Sequence, residues 1–152
     1  MSKQDYSTSV KIQIQKPPSV VFEGIVDPEK MTNYWISESS GRMTQDTKVT
    51  WKFPEFPEPF NAEVKGIEKD MYVSFTWFAD GHEDLVEMTL EPVGDGDTKV
   101  TITERRLDNE AMGIQWVRGS SEGWANFLAC LKAYLEYGIN LRKGSFEFLK
   151  TG

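Results

Sequence analysis

An amphipathic helical pattern from Ser120 to Gly138 follows a long series of strand-like segments, and this order narrows the folds open to the chain more than any other feature. Its apolar residues are Trp124, Phe127, Leu128, Leu131, Tyr134, Leu135 and, past a glycine, Ile139. They step by threes and fours and so share one helix face, while Asn126, Lys132 and Glu136 occupy the other. Ser120 or Ser121 suits the N-cap and Gly138 the C-terminal stop. Such a helix has to lie over an apolar surface, and the strands have to supply it.

The strand segments alternate. Val10, Ile12 and Ile14 fall on one face of the first, with Lys11, Gln13 and Gln15 on the other. At Pro17 and Pro18 the pattern changes. Val21, Phe22, Ile25 and Val26 fit a short helix, and Asp27-Pro28 then caps and opens a second one running toward Trp35. Val49, Trp51 and Phe53 are in phase, and the proline-spaced PEFPEPF that follows reads as a loop or edge connection, because proline removes ladder donors. Phe60, Ala62 and Val64 form the next inward row, followed by Val73, Phe75 and Trp77, with a tight turn at Lys69-Asp70. Val86, Met88 and Leu90 face Val100 and Ile102 across a Gly-Asp-Gly-Asp turn. The segment LDNEAMGIQWVRGS before the helix fits either a loop or an early helical turn.

These elements predict an α+β fold in which a curved antiparallel sheet of about six strands wraps around a long C-terminal helix, with two short helices after the first strand. No repeat or linker divides the 152 residues, which are expected to form one domain over 1–152. Seventeen basic against twenty-four acidic residues, a net charge of −7, argue against nucleic acid as a partner. There is no apolar run long enough to insert in a membrane and no apolar leader, so a cytoplasmic location is expected. Cys130 is the sole cysteine and reads as a small buried side chain of the helix.

Three stretches carry a resemblance. PPSVVFEGIVDPEKMTNYW, with Asp27, Pro28, Glu29 and Trp35, resembles the N-terminal helix pair of the activator of heat shock protein 90 ATPase homologue family, within the START-related (SRPBCC) superfamily. Gly123-Trp124 followed by Leu128, Leu131 and Leu135 is similar to the opening of that family's C-terminal helix, and VEMTLEPVGDGDTKVTIT to its paired strands. The similarity spans roughly residues 8–138. It implies a helix-grip (START/Bet v-like) fold. It also implies a cavity between sheet and helix for a small hydrophobic or amphipathic ligand, with a chaperone partner as the alternative and a cyclase- or isomerase-type enzyme as a further one.

Conventional chemistry is sparse in this sequence. With one histidine, His82, in an expected turn, and one cysteine, no metal site, cofactor site or catalytic residue is assigned. Five tryptophans and nine phenylalanines remain to be explained. They either fill the space between sheet and helix or line it. The residues expected to line or flank a cavity are Trp51, Phe53, Phe60, Phe75, Trp77, Met88, Trp124, Phe127, Leu128 and Leu131. Glu104 continues the inward phase of Val100 and Ile102. It either pairs there with an arginine or a ligand polar group, or lies beyond the strand end in solvent. For an enzyme, the candidates would be Glu104, His82 and Tyr72 or Tyr134.

Overall fold

A computed structural model describes residues 3–151. Strand β1 (Gln4–Ile14) leads into helices α1 (Pro18–Val26) and α2 (Pro28–Met31). Then come β2 (Glu38–Ser39), β3 (Lys48–Lys52), β4 (Phe60–Glu68), β5 (Tyr72–Ala79), β6 (His82–Val93) and β7 (Asp97–Asp108). Helix α3 (Glu110–Tyr137) follows, and a short 3₁₀ turn, Glu147–Thr151, is the last described element. The strands form one antiparallel sheet in the order β1-β7-β6-β5-β4-β3-β2.

Seven strands stand where about six were expected, because β2 holds only two residues, Glu38 and Ser39, opposite Lys52 and Trp51. Two residues are too few to show an alternating pattern. The turns fall as read. Asp70 takes a left-handed φ of 63° between β4 and β5, and Gly94 and Gly96 take positive φ between β6 and β7. A bulge between Val64 and Ile67 bends β4. At its centre Gly66 donates its N–H to Ser74 Oγ, and a Cβ there would come within 3.1 Å of the Tyr72 ring.

Helix α3 starts about ten residues before the expected serine caps, because Asn109 is its cap and accepts from the Met112 N–H. The ambiguous LDNEAMGIQWVRGS segment is therefore split between the end of β7 and the first turns of α3. This early part shows no apolar stripe since one residue, Gly113, makes the close approach to β1, with the Tyr6 ring lying where a Cβ would sit. Gly138 closes the helix at φ 67°.

The inward rows of the sheet and the buried face of α3 (Trp124, Phe127, Leu128, Leu131) meet in one core with α1 and α2. Tyr34, just after α2, is fixed in it by donating its hydroxyl to Gly24 O at 2.8 Å. Toward one end of the sheet the same inward row turns charged. Asp84 of β6 and Glu104, Arg106 and Asp108 of β7 are all buried.

Candidate functional site

The aromatic residues gather where β3, β4 and β5 diverge from the second half of α3. There Trp35 packs on Trp51 (4.8 Å between ring centroids), Phe127 (4.9 Å) and Phe53 (5.8 Å). Trp77 packs on Trp124 at 5.8 Å and Phe60 on Phe53 at 5.3 Å. All of these rings but Trp51 border a cleft of about 620 Å³ between sheet and helix. That volume falls within the range of small-molecule sites.

The structure divides the expected cavity residues into two groups. Phe53, Phe60, Trp77, Glu104, Trp124 and Phe127 border the cleft. Trp51, Phe75, Met88, Leu128 and Leu131 are buried in the core behind it. Trp51 stands one layer back, against Trp35 and Trp77, and its indole N–H finds no acceptor among the described residues. Strand parity could not separate the groups, because both face inward and only their position along the strands differs.

Glu104 is 4% exposed, so the reading that placed it beyond the strand end in solvent is overturned: β7 runs on to Asp108, and Glu104 pairs in register with Val86 and Thr8. Its oxygens accept from the Trp124 indole N–H (2.8 Å), the Ser120 hydroxyl (2.8 Å) and the Trp77 indole N–H (2.9 Å). The arginine expected beside it serves its neighbour instead. Arg106 donates from Nε (2.8 Å) and Nη2 (2.7 Å) to the two oxygens of Asp84. Burial pushes the Asp84 carboxyl up to about 6, against the pull of Arg106 and with the Glu104 carboxylate adding to the rise. The Arg106 guanidinium also lies 4.9 Å from the Trp116 ring centre.

The mouth is framed by residues that the sequence reading left out. After Gly138 the chain doubles back, and Phe146, Phe148 and Leu149 border the cleft with Phe56 of the proline-rich loop. Arg142 fastens this strap. Its guanidinium gives two parallel hydrogen bonds, at 2.6 and 2.8 Å, to Glu55, whose side chain is 4% exposed. It also lies over the rings of Phe146 and Phe53. The Phe-x-Phe spacing at 146 and 148, with a basic residue just upstream, was the available signal. Cys130 borders the cleft as well, and burial pushes its thiol up, away from the reactive thiolate form.

The enzyme candidates do not converge. His82 opens β6, with Nε2 3.3 Å from Asp108 and Nδ1 beside Asp80 O, outside the cleft lining. Tyr72 donates to Glu87 at 2.6 Å, and Tyr134 stacks on Tyr34. Among the described residues no group of three or more His, Cys, Asp or Glu could hold a metal ion, and no helix is long and apolar enough to cross a membrane.

The sequence profile of the family described as Activator of Hsp90 ATPase homolog 1-like protein matches residues 15–136. The chain belongs to this family. Among solved structures, protein SSP2350 from Staphylococcus saprophyticus is 31% identical and superposes with a TM-score of 0.74, covering 90% of this chain and 96% of that one. DynU16, a putative protein in the dynemicin biosynthetic locus, is 25% identical with a TM-score of 0.78, over 89% of this chain and 49% of that one. The Aha1 dimer from Colwellia psychrerythraea shares the fold at 20% identity and a TM-score of 0.73, over 87% of this chain and 97% of that one. No curated protein matches the chain. Membership of the Activator of Hsp90 ATPase homolog 1-like family and the helix-grip fold together support a ligand-binding or co-chaperone-like domain.

Proposed function

We propose that this domain binds a small apolar or amphipathic organic molecule in the cleft between the sheet and α3, without transforming it. The observation that carries this reading is the cleft itself, about 620 Å³ bordered mainly by aromatic rings with a single buried carboxylate at its base. A few fixed polar groups in an apolar concavity are the usual composition of a site that orients a ligand. The side chains considered for acid–base chemistry are not gathered at the cleft. Here the candidate histidine and tyrosines face other partners.

Native and denaturing mass spectrometry of freshly purified protein, compared on one sample, tests the proposal. A reproducible extra mass lost on denaturation supports a ligand-holding cleft and gives the ligand's mass. If there is no extra mass, and no saturable binding of an uncharged apolar fluorophore such as Nile red, the reading is wrong. The weight then moves to a chaperone partner.

A further inference from the structure

The charges around the cleft are unevenly paired. At the mouth, Arg142 is matched by Glu55 in a two-bond ion pair. Behind the base, Arg106 is matched by Asp84 in another, with side chains 3% and 0% exposed. Both nearby guanidinium groups are therefore neutralised by partners of their own. Glu104 is different. It accepts three hydrogen bonds from neutral donors (two indoles and a hydroxyl), lies beside the Asp84 carboxyl, whose charge opposes its own, feels Arg106 only from behind that pair, and makes no ion pair itself among the described residues. Its neighbour on the cleft border, Glu122, likewise has no ion-pair partner among them.

Neutral donors satisfy the oxygens of a carboxylate but leave its charge in place. In a surrounding of low polarizability that charge sets the local potential. The rings around it are apolar and bring no compensating charge. Trp35, Trp77, Trp124 and Phe127 thus surround one negative charge, that of Glu104, with apolar surface. An anionic amphiphile would meet repulsion at the base and find its natural counter-ions already engaged.

Resting on the binding role proposed above, we infer that the ligand is an organic cation: an apolar or aromatic body carrying a protonated amine or similar group, whose charge is directed toward Glu104. The cleft selects it against carboxylates and sulfonates of the same shape.

Three probes of nearly equal size test this directly: 1-naphthylmethylamine as its ammonium ion, 1-naphthylmethanol and 1-naphthylacetate. Each is titrated by calorimetry at neutral pH in about 0.5 M salt, where attraction to the protein's net negative surface is screened within a few ångströms. Shifts of the Trp77 and Trp124 indole N–H signals in nitrogen-15 spectra locate the bound probe. The ammonium probe is expected to bind about tenfold or more tighter than the acetate, with the alcohol between them. In Glu104→Gln the ammonium-to-acetate ratio is expected to fall to near one, whatever happens to the affinity for the alcohol. The inference is overturned if the acetate or the alcohol matches the ammonium probe on the wild-type protein, a result that leaves the cleft itself intact as a binding site. It is also overturned if a folded Glu104→Gln keeps the full preference. If none of the three probes binds, the binding role fails and the inference with it. Should Glu104→Gln not fold, the ranking on the wild-type protein still decides.

Discussion

Replacing Arg142 with alanine is expected to release the C-terminal strap while leaving the helix it follows undisturbed. Arg142 holds Glu55 by two charge-assisted hydrogen bonds, with side chains 14% and 4% exposed. Removing the guanidinium would leave a buried carboxylate without its counter-charge, a state that costs about 3–5 kcal/mol. The chain has a cheaper response, since the segment after Gly138 is mostly exposed and its backbone hydrogen bonds are local ones such as Ser145 N–H to Arg142 O and Leu149 N–H to Phe146 O. Lifting the strap rehydrates Glu55 and forfeits the contacts of Phe146 and Leu149 at the mouth. Loss of the guanidinium over the Phe53 and Phe146 rings adds roughly 0.5–1 kcal/mol for each.

The measurement is amide hydrogen exchange, which reports such local openings. A cost of about 3 kcal/mol corresponds to amides between residues 139 and 150 exchanging roughly a hundredfold faster, while those of Trp124 to Leu131 keep wild-type protection. The double variant Glu55→Gln/Arg142→Ala separates the causes. With no buried charge to rehydrate, most of the protection is expected to return. Unchanged exchange in Arg142→Ala would refute the claim that this pair fastens the strap. Equal exchange in the single and double variants would show that the ring contacts, not the buried charge, hold it.

Three further outcomes are expected. Because the folded carboxyl of Asp84 titrates near 6 and the free one at 3.8, the native state holds the proton more tightly. This group's contribution therefore falls as pH rises from about 4 to 6, by at most about 3 kcal/mol. Asp84→Asn should flatten that part of the stability–pH curve measured by urea denaturation, and an unaltered curve would show that Asp84 is not the group responsible. Gly113→Ala is expected to destabilise, since its Cβ would lie 2.3 Å from the Tyr6 ring. In a Tyr6→Ala background the same change should instead stabilise by about 0.5–1 kcal/mol through helix propensity, and a loss in both backgrounds would refute the assigned clash. Leu128→Ala, 2% exposed and behind the cleft, should cost about 2–5 kcal/mol of stability. It should leave binding of the naphthyl alcohol unchanged, and a weakened affinity would place Leu128 at the site after all.

How far the sequence could be read depended on the length of each pattern. The long rows Val86–Met88–Leu90 and Val100–Ile102 show their inward face by simple alternation, and so did the stripe of α3 after Trp124. Strand β2 and the first turns of α3 lacked such a pattern, one being two residues long and the other meeting β1 through a glycine. For the site, phase identified which aromatics point inward but not how far apart the sheet and helix stand. Nor does phase show the bulge in β4 or the Arg142–Glu55 pair that brings the strap to the mouth, because the pair joins residues far apart in sequence and the bulge is a local break in the alternation. Glu104 was the informative exception: a charged residue in an inward phase. Reading its surroundings required knowing that Trp77, Ser120 and Trp124 converge on it from another strand and from the helix.

That convergence also bears on why the space between sheet and helix stays open. Aromatic side chains bordering an open cleft would ordinarily turn into it, because packing on one another removes apolar surface from water. Trp77 and Trp124 are held back from doing so. Each indole is anchored at its N–H to the same carboxylate, and turning either ring inward would strip a hydrogen bond from a buried charge, at about 1–3 kcal/mol or more. Ser120 supplies a third anchor from the same helix as Trp124, so β5, β7 and α3 are tied at one point. The same carboxylate therefore restrains both walls and gives the base of the cleft its negative charge. An apolar residue at position 104 would relieve the buried charge, but it would also free both indoles to collapse into the space a ligand would occupy.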